Sequence, residues 1–405
     1  MFKFLPKWDI EDNKETLSAS EFTESVPPQE SSDDGSVYKV PFTTIANISP
    51  HNNAERLEVA TVYGFQVIVQ KDKYKAGDKI VYIPIDSILP QWLESILFPD
   101  GSKIKLHHSR VRQIKIRGLA SQGMIINPQD IASKINPEYL DIEQDLSTVL
   151  GVTKYEPPKR HVGAKMGMPR NKPLENPRFH KYGGVDNIKW FPDFFNDKEV
   201  VIQEKLHGSC CRASYIKTSA NTFWKKIKSL FRMLPKYEYC YGSNNVQLQE
   251  RKNYTGFYGT DIYGATLARV DAFKKLKPGE TIFGELIGPG VQKNYDYGHA
   301  EHHFVLFDVK IEREDGSQEY LDPEQAEKYA KERGFSFVPV LYKGVFNAAH
   351  AKSLSMGSSV YCSKQKIREG VVIKARTEYS KNSSKKALKL ISEDYLNDPN
   401  NTDFH

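Results

Sequence analysis

Between Val37 and Ile126 apolar and polar positions alternate in short runs. From Tyr38 to Pro90 the runs are separated by the turn signals SPHNNAE (49–55) and KDKYKAGD (71–78), and VRQIKIRGLASQGMII (111–126) adds two runs around a glycine turn. Roughly five short strands in about 100 residues predict a small β-barrel over 37–150. Before it, residues 1–36 nearly lack large aliphatics, cannot bury enough apolar surface to offset ordering, and are expected to be a disordered acidic tail. After it, residues 151–180 are rich in Pro, Gly, Lys and Arg and read as a basic linker. Residues 181–405 mix strand runs with a helical stretch, DPEQAEKYAKERG (322–334), and predict an α+β domain. The chain shows no internal repeat.

Composition narrows the class only a little. With 39% hydrophobic and 27% charged residues the chain reads as an ordinary water-soluble protein. No apolar run approaches the ~20 residues of a membrane span, and the first residues turn acidic too early for a secretory signal. An intracellular, cytoplasmic monomer with no membrane association and no obligate protein partner is expected. The four cysteines form no C-x-x-C pair, which argues against a zinc site or disulfide framework. Cys210 and Cys211 are adjacent in a strand and should face opposite ways as small core residues. Charge is uneven: residues 1–36 carry three lysines and nine acids, so of the net +6 the remaining 369 residues hold about +12. That excess suits a polyanion such as nucleic acid and equally suits simple solubility.

Candidate chemistry lies in five segments of the second half. VVIQEKLHGSCCRASY (200–215) places Lys205 between Glu204 and a glycine-bearing turn at Gly208. TIFGELIGPGVQKNYDYG (281–298) carries Glu285, and HHFVLFDVKI (302–311) carries Phe307 and Asp308. REGVVIKAR (368–376) carries Glu369 and Lys374, and KKALKLISEDY (385–395) carries Lys386 and Lys389. The order lysine, carboxylate, aromatic-acid, carboxylate, lysine is what nucleotidyl transfer to lysine requires. The amine must attack an α-phosphorus unprotonated, although its ordinary pKa is near 10.4. A divalent cation held by Glu285 and Glu369, or a neighbouring cation, disfavours the ammonium form. Lys389 is placed to neutralise phosphate charge, Phe307 to stack on a purine, and Glu204 to accept a hydrogen bond from an exocyclic amine. Taken singly, Lys205 reads as a strand-edge lysine, the glutamates as surface carboxylates, and Phe307, alternating with Val305 and Val309, as core. The histidines of HAEHH (299–303) read as a solvated turn rather than a metal cluster. Residues 221–236 place Phe223, Ile227, Leu230 and Phe231 at helical spacing among basic residues, the pattern of a basic amphipathic helix packed on the domain.

Together these segments resemble motifs I, III, IIIa, IV and V of the covalent nucleotidyltransferases, the polynucleotide ligases and RNA capping enzymes. EKLHG, FGELIGPGVQKNYDYG and FDV are most similar to the RNA-ligase-2-like branch. Residues 37–150 resemble the OB module found at the N-terminus of certain RNA ligases, through Pro50-His51, Asn53 to Leu57, Gly77-Asp78, Lys115, Arg117-Gly118 and Ser121 to Gly123. The resemblance implies an ATP-dependent RNA ligase that joins 3′-OH and 5′-phosphate RNA ends in RNA repair, with ATP and Mg²⁺ or Mn²⁺. It implies Lys205 as the nucleophile that becomes lysyl-AMP and His207 as a residue of the later steps on RNA. Glu204, Gly208 and Phe307 would frame the adenine nucleotide. Glu285, Glu369 and Asp308 would hold metal or ribose, and Lys374, Lys386 and Lys389 would lie near the phosphates. Asn244, in YGSNN (241–245), stands at an RNA-contacting position where relatives carry Ser-Arg or Ser-His. The basic residues Lys115 and Arg117 of the OB module read equally as RNA-binding or as facing water. The chain departs from the motif V pattern K-x-K at Ile391. Only 16 residues follow Lys389, too few for the C-terminal OB domain of DNA ligases and capping enzymes. A DNA-joining or GTP-dependent capping enzyme, and a non-catalytic OB-type RNA-binding protein, are the alternatives.

Overall fold

A computed structural model describes residues 37–102, 105–156, 175–219, 234–248, 258–377 and 387–399. The acidic tail, most of the basic linker, residues 221–233 of the lysine-rich stretch, and Lys386 lie outside the described residues.

The N-terminal module holds ten short strands: β1 (Phe42–Thr44), β2 (Asn47–Pro50), β3 (Leu57–Val62), β4 (Phe65–Gln70), β5 (Lys79–Ile83), β6 (Ser87–Ile88), β7 (Ile114–Ile116), β8 (Leu119–Ser121), β9 (Met124–Ile126) and β10 (Thr153–Lys154). They pair as β2-β3-β4, β1-β5-β9, β7-β8 and β10-β6. Strict alternation in β4 buries Phe65, Val67 and Val69 against Tyr82 and Ile80. Both tight hairpins turn on two residues with left-handed backbone, Tyr63-Gly64 between β3 and β4 and Arg117-Gly118 between β7 and β8. That turn matches the right-handed twist of the flanking strands. β10 pairs antiparallel with β6, so Thr153 and Lys154 are bonded to this module.

The second domain is built on two sheets. Its strands are β11 (Asp186–Asn187), β12 (Glu199–Lys205), β13 (Ser209–Lys217), β14 (Tyr237–Ser243), β15 (Gln247–Leu248), β16 (Glu280–Ile287), β17 (His303–Glu312), β18 (Gln318–Tyr320), β19 (Ser336–Phe337), β20 (Val340–Val345), β21 (Gly370–Ala375) and β22 (Ala387–Ile391). One sheet runs β11-β22-β21-β12-β20, and the other β15-β14-β13-β16-β17-β18 with β19 beside β17. All pairs are antiparallel except β11 with β22 and β17 with β19. The helices Ile262–Arg269 and Pro323–Arg333 cover the outer face of the second sheet, with Leu267, Ala326 and Ala330 packed on Leu306 and Val309. The second of these helices is the one predicted near 322–334, and Gly334 ends it with a φ of 64°. Helix Ala348–Ser355 covers the first sheet through Ala351. Between the sheets lie Tyr182, Phe283, Tyr320 and Ala387, flanked by Cys210, Phe307 and Val372. As expected, Cys211 faces the outer core and Cys210 the opposite side.

Residues 176–179 pack against β13 and β14. The Asn176 amide donates to the Lys217 carbonyl at 3.0 Å and to Glu238 at 2.8 Å. Phe179 lies 3.8 Å from the guanidinium of fully buried Arg212, which donates to the carbonyls of Phe179 (2.5 Å) and Ser243 (2.8 Å). Aromatic packing and a C-terminal helix are among the contacts that join the domains. Trp190 packs among Tyr63, Phe65 and Tyr82 of the barrel, at centroid distances of 5.0, 5.3 and 5.9 Å. The short helix Glu393–Asn397 meets β8, where the Ala120 N–H donates to Asn397 Oδ1 at 3.1 Å. Among the described residues no helix is long and apolar enough to cross a membrane.

Candidate active site

Lys205 ends β12, which lies between β21 and β20 in the first sheet, and three residues, Leu206 to Gly208, carry the chain across to β13 in the second. Gly208 is required at this crossing, since a Cβ there would run into the Leu286 carbonyl oxygen. In the ladder Lys205 stands opposite Gly370, so the preceding residue, Glu369, brings its carboxylate to the lysine amine. The Nζ donates to Glu369 Oε1 at 2.5 Å, and the lysine side chain keeps 27% of its surface exposed, so the amine remains reachable from the cleft. His207 Nδ1 lies 3.5 Å from the other oxygen, Oε2. Burial pushes the Glu369 carboxyl up, but Lys205 and His207 outweigh it and hold the group down at about 2.

Glu285 on β16 faces the same place from the second sheet, opposite Cys210. Burial raises the Glu285 carboxyl to about 7 against the pull of Lys205, and the negative charge of Glu369 raises it further. Lys389, on β22 opposite Val372, completes the set: burial and the charge of Lys205 lower its pKa, while Glu369, Asp186 and Asp86 oppose the shift. The structure thus brings Lys205, His207, Gly208, Glu285, Glu369 and Lys389 to one locus.

Other predicted residues are placed differently. Phe307 does not alternate simply with Val305 and Val309. The β16–β17 register shifts between Phe283 and Gly284, so Phe307 occupies a β-bulge, and Val309 joins Leu306 on the outer core. The bulge leaves Phe307 half-buried on the inner side with Val305, edge-on to Tyr182 at 4.9 Å. Asp308 and Lys374, expected at metal and phosphates, are both fully buried and bond to one another at 3.2 Å. The lysine also donates to the Phe307 carbonyl at 2.7 Å, and the Tyr182 hydroxyl to Asp308 at 2.8 Å. This pair secures the bulge instead of facing the cleft. Asn244 is likewise engaged: its amide accepts from the Tyr182 N–H (2.8 Å) and donates to the Tyr182 carbonyl (3.2 Å), strapping the Tyr182 segment to β14. Lys115 donates to the Asp398 carbonyl across the domain boundary, which makes it an interdomain tether. Arg117 is exposed in its hairpin turn. Glu204 is buried, with Oε2 accepting from the N–H groups of Val360 (2.8 Å) and Tyr361 (3.1 Å). No group of three or more metal-ligating side chains is present among the described residues, and His299 stacks on His303 at 4.0 Å.

Sequence reasoning missed a ring of tyrosines around His207. Tyr297 accepts from the His207 N–H at 2.7 Å, Tyr295 lies edge-on to the imidazole at 4.8 Å, and the Tyr395 hydroxyl stands 3.3 Å from Nε2. Tyr182 was missed as well. The only local signal was the density of tyrosines in KNYDYG, and nothing in it points to a histidine far away in the chain.

A lysine at the crossover of two antiparallel sheets, next to an N-terminal barrel, defines an α+β nucleotidyltransferase-type domain with an OB module. Comparison with known proteins supplies the family. Residues 198–391 match the RNA ligase family and residues 40–128 match an OB-fold domain, so the chain carries an RNA ligase family domain joined to an OB fold. Solved structures of Naegleria gruberi RNA ligase are similar along most of the chain. A lysine-to-alanine variant with ATP and Mn aligns at a TM-score of 0.63 and 20% identity, covering 90% of this chain and 100% of that one. The complex with PPi gives 0.63, 22%, 90% and 100%, and a lysine-to-methionine variant with AMP and Mn gives 0.64, 22%, 90% and 99%. At such identity the likeness establishes the shared fold.

Proposed function

We propose that this protein is an ATP-dependent RNA ligase that seals 3′-OH and 5′-phosphate RNA ends through a lysyl-AMP intermediate, in the rejoining of broken RNA. The observation that carries the reading is the Lys205 amine held 2.5 Å from Glu369 at the mouth of the sheet crossover, with Glu285 and Lys389 around it. The similar Naegleria structures contain ATP, AMP and Mn, which supports the same cofactors here.

The residues fit those groups. Glu204 Oε1 is buried without a hydrogen-bond partner among the described residues, an acceptor suited to an exocyclic amine. The bulge presents the half-buried ring of Phe307 for stacking. Glu285 and Glu369 are neighbouring carboxylates that raise one another's cost of ionising, a strain that a divalent cation relieves. Bound there, such a cation supplies charge neutralisation at the phosphates and disfavours the ammonium form of Lys205.

Lys205 starts as an ammonium bonded to Glu369. It gives up its proton to Glu285, whose affinity for protons burial has raised, while the ionised Glu369 holds the amine in place. The neutral amine forms an N–P bond to the α-phosphorus as the bond to the β-phosphate oxygen breaks and pyrophosphate leaves. Lys389 balances negative charge on the α-phosphoryl oxygens. An RNA 5′-phosphate oxygen then displaces the lysine and takes the AMP, with His207 orienting this transfer. The RNA 3′-OH attacks the same 5′-phosphorus, loses its proton and expels AMP. An assay on nicked and broken RNA tests the reading: ATP-dependent sealing is expected from the wild type and none from Lys205→Ala. Sealing of DNA 3′-OH ends alone, or an adduct with GTP and not ATP, would overturn it.

A further inference from the structure

His207 is held from four directions. Its N–H is fixed by the Tyr297 hydroxyl at 2.7 Å, its ring meets Tyr295 and Tyr395 edge-on at 4.8 and 5.4 Å, its Nδ1 is 3.5 Å from Glu369, and its Nε2 is 3.3 Å from the Tyr395 hydroxyl. Tyr395 lies in the helix Glu393–Asn397, beyond the end of the RNA ligase family match. That helix is tied at both ends. At its start, Ser392 donates its N–H to the Glu369 carbonyl at 2.9 Å and its Oγ accepts from the Tyr395 N–H at 3.4 Å. At its finish, Asn397 accepts from the Ala120 N–H of the OB hairpin β7–β8 at 3.1 Å, and Lys115 of the same hairpin donates to the Asp398 carbonyl. Ala120 itself packs in one apolar cluster with Leu206, Tyr295, Tyr297, Tyr395 and Leu396.

We propose that Tyr395 is a positioning residue that sets the orientation and tautomer of His207, and that the OB hairpin holds Tyr395 in place through Asn397 and Asp398. The OB module then completes the active site as well as extending the protein's surface. The carboxylate opposite Nδ1 favours the proton on that nitrogen, leaving Nε2 to accept from the Tyr395 O–H. Without the hydroxyl the ring keeps its packing and loses its directional restraint. The inference rests on the RNA ligase reading for the step that His207 serves, but its structural half does not.

Tyr395→Phe in the full chain is the test, because it keeps the ring and removes only the oxygen. The Nε2 resonance of His207, followed by ¹⁵N NMR, is expected to shift. Transfer of AMP to a 5′-phosphate RNA is expected to fall about fivefold to tenfold, the worth of one hydrogen bond, with lysine adenylylation changed less than about twofold. Asn397→Ala should move the same resonance in the same direction by a smaller amount. An unchanged resonance in Tyr395→Phe, or a shifted one with AMP transfer unaltered, would overturn the role of Tyr395, and an unmoved resonance in Asn397→Ala would overturn the part of the OB hairpin. If the wild type forms no adduct with ATP, the RNA ligase reading fails and the resonance alone decides the positioning role.

Discussion

Glu285 and Glu369 face one another across the crossover with opposite shifts, and their consequences for stability have opposite signs. The Glu369 carboxyl is held at about 2, below its ordinary 4.5, chiefly because Lys205 and His207 overcome its burial. Its contribution to stability is present above pH 4.5 and is lost as the pH falls toward about 2. The Glu285 carboxyl is raised by burial to about 7, so the folded state binds a proton that the unfolded state has released. Its favourable contribution is complete below about pH 4.5 and disappears as the pH rises through about 7. Glu285→Gln, which removes that ionisation, is therefore expected to raise the thermal midpoint at pH 8 and to leave it nearly unchanged at pH 4, while abolishing activity. Thermal denaturation at the two pH values checks this, and a lower midpoint at pH 8 would contradict the burial of Glu285 described above.

At the scale of elements, two devices build the cleft, the glycine crossing after Lys205 and the bulge at Phe307. Gly208→Ala would drive a methyl group into the Leu286 carbonyl and prise β13 from β16. A loss of about 1–3 kcal/mol is expected, read by denaturant unfolding. Phe307→Leu keeps apolar volume but removes the flat ring, and is expected to raise the apparent KM for ATP by up to about tenfold with little change in stability. Most of this was legible before the structure. Lys205, Glu285, Glu369 and Lys389 each sit in a strand run beside a glycine or a lysine pair, and their order along the chain carried the chemistry. The bulge was not legible, because VLFDV reads as plain alternation, and only the paired strand shows that one residue is extra. Asp308 and Lys374 were misplaced for the same reason: the bulge turns the aspartate inward, where the lysine neutralises it. The tyrosine ring stayed hidden because 22 tyrosines are spread through the chain, and partners as distant as Tyr395 and His207 leave no local trace.

For the whole molecule, the OB module is docked on the catalytic domain. Its ring platform of Tyr63, Phe65 and Tyr82, an apolar surface of the kind on which nucleobases stack, is covered by Trp190 of the other domain. Trp190→Ala should cost about 2 kcal/mol, less than for a fully enclosed tryptophan, and weaken the coupling of the two domains. Calorimetry should show the wild type melting as one unit and the variant splitting into two transitions. The split of Lys115 from Arg117 belongs to this scale too. The sequence places both beside the glycine turn of one hairpin, and only the assembled domains show Lys115 bonded to the Asp398 carbonyl and Arg117 exposed. The most direct test of the account is peptide mass mapping after incubation of the full chain with ATP and Mn²⁺. The account predicts one added AMP on the peptide that holds Lys205, absent in Lys205→Ala. An unmodified protein, or AMP on another residue that persists in the variant, would contradict it.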